Sequence, residues 1–240
     1  MGDLEDASVV ITGASRGLGR ALALALARRG ARTVLVARDE AGIHETVRRL
    51  GGEGKEPVAL VGSIANLDDV RRIRDTVLAI AAPTALINNA SQFAAGSLAQ
   101  MSPEVVAAVL ETGVVGSTLM AQAFLPALRA AGTGLLLNIG ARVASPAYPL
   151  DVSGTSLPYQ TGKRYLTLLS AALRQEAPDV AVATLYLPPI GSAVDLDDPP
   201  EALARAYPGQ TVLPLAVVAE TVGNRLAGVG MRWEEWVLSS

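Results

Sequence analysis

Tyr159 and Lys163 stand four residues apart in the run YQTGK, inside a stretch of helical composition. On a helix, positions i and i+4 share a face, so the phenol and the ammonium point the same way. A neighbouring ammonium favours the phenolate and lowers the tyrosine pKa. A tyrosine so placed hands a proton to a carbonyl oxygen, or takes one back from an alcohol. Of the 20 basic residues only Lys55 and Lys163 are lysine, and there are five tyrosines. Chance would supply about 0.04 such pairs in a chain of this make-up. Where Arg carries nearly all the positive charge, a lysine here points to a need for a compact ammonium rather than a planar fork.

A second run holds its own chemistry. Thr12-Gly13-Ala14-Ser15-Arg16-Gly17-Leu18-Gly19 lies between the apolar Val9-Val10-Ile11 and an Ala/Leu-rich segment. Strand, glycine turn and helix together bring backbone N–H groups up to a phosphate, with the positive end of the helix behind them. Further on come Asn88-Asn89-Ala90 after an apolar run, Asn138-Ile139 at the end of another, YxxxK, and the pair Pro188-Pro189. This order, with the spacing TGxxxGxG, resembles the short-chain dehydrogenase/reductase family over most of the chain. The resemblance implies a nicotinamide dinucleotide held by Gly13, Ser15, Arg16, Gly17, Leu18, Gly19, Asn89, Ala90 and Pro188. Tyr159 would be the catalytic acid/base. Lys163 would be its modulator and would also hold the nicotinamide ribose. A small-molecule carbonyl or alcohol would be the substrate.

Which dinucleotide follows from charge at the end of the second strand, Val36-Ala37-Arg38-Asp39. An NAD site places an acid there, which accepts from the ribose hydroxyls and repels a 2′-phosphate. By the resemblance that position is Ala37. Arg38 and Arg16 then offer two guanidiniums to one phosphate, which favours NADP over NAD. Asp39 as a displaced ribose acceptor is the alternative. Where the family has an adenine-holding aspartate, this chain has Ser63.

Other family positions differ in ways that bear on turnover. The serine expected after the fifth strand is Ala141, which has no hydroxyl to orient a carbonyl. The asparagine expected in the long helix is Gly113, Ser91 replaces the glycine of NNAG, and Pro189 replaces that of a Pro-Gly pair. Losing one preorganised donor costs about 10²–10³ in rate. Substitute hydroxyls are sought in the irregular connection at Ser145, Ser153, Thr155 and Ser156. Ser145 also suits a turn with Pro146, and Ser156 suits a helix cap ahead of Pro158. The alternative function is a dinucleotide-binding member of the family with little or no redox activity: a sensor, a partner protein, or a non-redox user of the Tyr–Lys pair.

These residues need a scaffold, and the apolar pattern supplies one. Strands are expected at Ser8–Thr12, Thr33–Ala37, Pro57–Val61, Ala85–Asn88, Gly134–Gly140, Val180–Leu187 and Trp233–Leu238. Helices are expected at Leu18–Arg29, Asp39–Leu50, Leu67–Ile80, Pro103–Ala131, Tyr159–Glu176 and Ala216–Gly228. Uninterrupted apolar strands alternating with helices read as βαβ units in one doubly wound, Rossmann-type parallel sheet with helices on both faces. The 240 residues suit one domain. The Pro/Asp-rich Pro188–Leu213 is expected to form a substrate flap.

Composition excludes other classes. Net charge is −3 with no basic block, which argues against nucleic acid. One histidine, His44, and no cysteine leave no multi-His metal site and no thiol chemistry. His44 is read as a solvated surface residue, Arg142 as a loop cation near the pocket mouth, and Trp233 and Trp236 as packing residues. Asp195, Asp197 and Asp198 are read as turn residues rather than metal ligands. No apolar run approaches the ~20 residues that span a bilayer, and no apolar signal core follows the first Met. A cytoplasmic location and no membrane are therefore expected. By the resemblance, the long helix and the Tyr159 helix would pair across a two-fold axis, giving a homodimer or homotetramer.

Overall fold

The apolar runs of the sequence pair side by side as Ser8–Thr12 (β1), Arg32–Ala37 (β2), Val58–Val61 (β3), Ala85–Asn88 (β4), Leu135–Ala141 (β5), Ala181–Leu187 (β6) and Glu235–Val237 (β7). Their order is β3-β2-β1-β4-β5-β6-β7, and every pairing is parallel. The structure is a computed structural model that describes residues 4–52, 54–94, 96–148, 157–192, 194–196, 198, 200–228 and 235–238.

Side chains alternate across the pleat, so each strand feeds two cores. Val9 and Ile11 of β1 join Gly17–Ala27 (α1), Glu40–Leu50 (α2) and Leu215–Gly228 (α8) on one face. Val10 joins Leu67–Ile80 (α3), Ser117–Ala130 (α5) and Leu157–Glu176 (α6) on the other. A strand covered on both faces cannot alternate apolar with polar, which is why β1 reads SVVIT and β2 RTVLVA. One polar rung crosses this interior. The Asn88 amide donates to Asn138 Oδ1 at 3.0 Å, and Asn138 donates to Ser170 Oγ at 2.8 Å. Ser170 shares a proton with Thr184 at 2.7 Å, tying β4, β5, α6 and β6 together.

The long helix departs from expectation. Instead of one uniform helix over Pro103–Ala131, Pro103–Leu110 (α4) widens into a π turn at Glu111–Gly116 before α5 resumes. Ser102 caps its start through Val105 N, with Pro103 in the first turn. Gly113 in the π turn lies against Gly162 of α6, where an added Cβ would stand 3.5 Å from the Gly162 Cα. Pro103–Ala130 is also long and apolar enough, by length and composition, to cross a membrane. A core helix of a folded domain meets the same measure. The segment is rich in Ala and Val, and its three charged residues, Glu104, Glu111 and Arg129, do not break its average. Its composition has a use within the fold, since α3, α6, β4 and β5 pack against α4, the π turn and α5.

Candidate active site

In an open parallel sheet, ligands sit beyond the carboxyl ends of the strands where the connections diverge. Here that point lies between β1 and β4. The loops after β1, β2, β3 and β4 there enclose a cleft of about 720 Å³. The β1 turn forms its floor. Gly13 and Gly17 have φ of +68° and +56°, a region that side chains strain to adopt. At Gly17 an added Cβ would point into open space, and at Gly19 it would strike the Gly13 carbonyl oxygen. Thr12 Oγ1 accepts from the N–H groups of Asn89 and Ala90, both at 3.0 Å, while the Asn89 amide donates to Thr12 O at 2.8 Å. The loop after β4 is therefore laced to the turn.

Of the residues expected to hold a cofactor, Gly13, Ser15, Arg16, Gly17, Leu18, Gly19, Arg38, Ser63, Asn89 and Ala90 all line this cleft. Arg16 and Arg38 are exposed at its rim. Asp39 also lines it, but its carboxylate caps α2 by accepting from Gly42 N at 3.0 Å. Ser63 Oγ accepts from Ala65 N at 3.3 Å, which leaves its proton available to a ligand. Below it, Asp69 accepts from Ser63 N at 2.9 Å, and this bond, helped by Arg72, holds the Asp69 carboxyl below its usual range. Pro188 is buried at the end of β6 and does not line the cleft; Ser192, four residues on, does, as do Thr112 and Ser91. Thr112 and Ser192 carry no motif, and only their place in the fold reveals them.

Tyr159 and Lys163 share a second, water-sized cavity with Ala90, Ser91, Val109, Gly113, Gly162 and Leu166. Lys163 is buried, and its ammonium donates to the Ile139 carbonyl at 2.7 Å. It lies 5.6 Å from the centre of the Tyr159 ring. Burial lowers the Lys163 pKa to about 8 and raises that of Tyr159 above its ordinary value. The expectation of a tyrosine made more acidic by its lysine is thus reversed. Loss of water around the phenol is the cause. The exposed ring of Phe93 covers Tyr159 edge-on, with ring centres 5.2 Å apart at 77°.

The proposed substitute hydroxyls fare unequally. Ser145 is buried and accepts from Ala147 N at 3.3 Å, so it serves a turn. Ser153, Thr155 and Ser156 lie outside the described residues, as do Asp197 and Trp233. Arg142 stacks over Tyr148 at 5.8 Å, and His44 is exposed on α2. Asp198 accepts from Asp195 N at 2.7 Å, the turn role expected of it, whereas Asp195 is paired with Arg49 of α2 at 3.0 Å.

Sheet order, glycine turn and cleft together define a doubly wound α/β protein of the Rossmann type. Residues 7–198 match the model of the short chain dehydrogenase family, and the chain belongs to that family. It is 30% identical over 177 residues to the ketoacyl reductase HetN of a Nostoc species, a match covering 73% of this chain and 60% of that protein. The chain thus spans about three fifths of the length of the first curated relatives it matches. Its fold is similar to that of an alcohol dehydrogenase from the archaeon Thermococcus sibiricus, solved with 5-hydroxy-NADP. That likeness has a TM-score of 0.81 at 26% identity over 97% of this chain and 95% of the other. A short-chain type dehydrogenase/reductase from Mycobacterium marinum shares the fold at TM-score 0.84 and 20% identity, over 99% and 95% of the two chains.

Proposed function

We propose that this chain is an NADP(H)-dependent oxidoreductase acting on a carbonyl/alcohol pair, with ketoacyl compounds as the first substrates to try. The observation that carries the reading is the meeting, at Ala90 and Ser91, of the glycine-floored cleft with the cavity that holds Tyr159 and Lys163. The residues fit a dinucleotide. Gly17 leaves open space above the turn, Gly13 lets the loop after β4 pack against it, and the first turn of α1 aims its N–H groups into that space. Arg16 and Arg38 at the rim suit a 2′-phosphate, and the capping duty of Asp39 weakens its claim as an NAD ribose acceptor. The NADP-bound archaeal relative and the ketoacyl reductase lend support to cofactor and substrate class.

When bound, the nicotinamide supplies a hydride. Tyr159 gives its proton to the carbonyl oxygen in reduction. Its burial keeps the phenol protonated through neutral pH, which suits a proton donor. Lys163 stands on the same face of α6 to steady the phenol and reach a ribose hydroxyl. The second reading, binding with little turnover, is favoured by one observation: Ala141 and Gly113 bring no polar side chain toward the Tyr159–Lys163 cavity.

Fluorescence titration with NADPH and NADH, followed by NADPH consumption over ketones and ketoacyl thioesters, tests both readings. The expected result is NADPH binding at least ~10-fold tighter than NADH, lost in Arg38→Ala, and turnover that falls by about 10²–10⁴ in Tyr159→Phe. Tight binding with no turnover on any carbonyl would favour the second reading, and no binding of either nucleotide would sink both.

A further inference from the structure

We infer that Ser91, on the loop after β4, supplies the hydroxyl that orients the substrate carbonyl in this chain, in place of the residue at 141. The inference rests on the reading of the chain as a carbonyl reductase. Such a reaction needs a second hydrogen-bond donor at the carbonyl oxygen beside the tyrosine, fixed before the charge develops. Ala141, at the end of β5, offers a methyl group.

Position selects Ser91 among the remaining hydroxyls. Ser15, Ser63, Thr112 and Ser192 line the cleft but not the cavity of Tyr159 and Lys163. Ser145 lines neither, and its oxygen is engaged in its own turn. Among the described serines and threonines, only Ser91 borders both spaces. It is exposed, and its hydroxyl is free to donate among the described residues. The loop holding it is anchored on both sides. Asn89 and Ala90 are fixed to Thr12 Oγ1 just before it, and Phe93, two residues after it, packs on the Tyr159 ring. A hydroxyl on a segment tied to the cofactor turn at one end and to the catalytic tyrosine at the other is preorganised, as an oxyanion donor must be. The fold thus brings the Ser91 hydroxyl to the cavity of Tyr159, while residue 141 offers none.

The test compares wild type, Ser91→Ala, Ser91→Thr and the double variant Ser91→Ala/Ala141→Ser by NADPH consumption, with NADPH affinity from fluorescence and folding from thermal melts. Ser91→Ala should lose about 10²–10³ in kcat with NADPH affinity within about twofold of wild type. Ser91→Thr should recover at least tenfold over Ser91→Ala, while the double variant, whose residue 141 lines neither space, should stay near Ser91→Ala. In crystals of the NADP complex with a product alcohol, Ser91 Oγ should lie within about 3.2 Å of the substrate oxygen. A Ser91→Ala variant within threefold of wild type, or a Ser91 hydroxyl turned away from that oxygen, overturns the inference while leaving the carbonyl reductase reading intact. A wild type that binds NADPH but reduces no carbonyl overturns both.

Discussion

A lysine buried as deeply as Lys163, with no carboxylate partner among the described residues, changes how stability depends on pH. Its ammonium meets the Ile139 carbonyl, and burial brings its pKa from 10.5 to about 8. The unfolded chain keeps that proton up to its ordinary pKa, while the folded chain gives it up near 8. Between the two the unfolded state binds more protons, so Lys163 makes stability rise with pH through that window. Below it, both states are protonated and the penalty for burying the ammonium is present in full, on the order of 3 kcal/mol. Tyr159, with its raised pKa, acts the other way at more alkaline pH, where the unfolded chain loses the phenol proton first. Comparing wild type with Lys163→Met cancels that contribution. Urea unfolding of the cofactor-free proteins should show the wild type gaining on Lys163→Met between pH 7 and pH 10, and a constant difference would show that the ammonium is not desolvated. At this scale the sequence is informative about adjacency and silent about environment. Tyr159 and Lys163 are legible as a pair because helical spacing is a local rule. The direction of the Tyr159 shift is not, because the ring that covers it, Phe93, arrives from a loop 66 residues away in sequence. Ser91 reads only as the replacement of a glycine until the fold places it beside Tyr159.

The elements follow local rules more closely. β1, β4 and α3 have the limits expected from their apolar runs and caps, since a strand buried on both faces and a helix begun by Asn66 both announce themselves. The π turn at Glu111–Gly116 does not, because one extra residue in a helical turn leaves no mark on composition; within it Gly113 packs against Gly162 on a neighbouring helix. The segment Pro188–Leu213, expected as a flap, carries Pro200–Ala206 (α7), and its ends are joined where Gly191 N donates to Leu213 O at 2.9 Å and Leu213 N to Pro189 O at 3.0 Å. Asp195 holds the segment to the nucleotide half. It pairs with Arg49 of α2 at 3.0 Å and lies 3.6 Å from Arg20 of α1. Arg20 is buried and also donates to the Ser15 carbonyl of the glycine turn and to Thr46 Oγ1 at 3.0 Å. One arginine therefore touches both the glycine turn and the segment 188–213. Because Asp195 is half exposed, these pairs contribute about 1 kcal/mol or less. Asp195→Ala should then leave the melting temperature within about 4 °C while raising hydrogen exchange across 200–213 several-fold and weakening NADPH about two- to fivefold. Unchanged exchange in that segment would show that the flap is held by its apolar contacts alone.

At the scale of the whole molecule, one sheet buries its two cores and still leaves apolar surface on the side formed by α4, the π turn and α6. Val105, Val115, Leu157 and Leu168 are all exposed there, Leu168 to 69%. Leu157 and Leu168 stand about three turns apart on one face of α6. Singly exposed apolar residues are ordinary, but a group on two neighbouring helices marks a surface that gains by being covered. We propose a second copy of this chain as its cover, in the two-fold pairing of these helices that the family resemblance implies, giving a homodimer or homotetramer. In such an interface a residue near the axis meets its own copy, so each substitution acts twice. Leu168→Glu would place two carboxylates face to face in a surface losing its water, a penalty of several kcal/mol without a compensating cation. Sedimentation equilibrium should therefore find wild type at two or four times 24.7 kDa and Leu168→Glu at half the wild-type mass. NADPH affinity should be kept in the variant, because Leu168 lines neither the cleft nor the Tyr159 cavity. A monomeric wild type at micromolar concentration would remove the pairing altogether. An oligomeric wild type indifferent to Leu168→Glu would move the interface to another face.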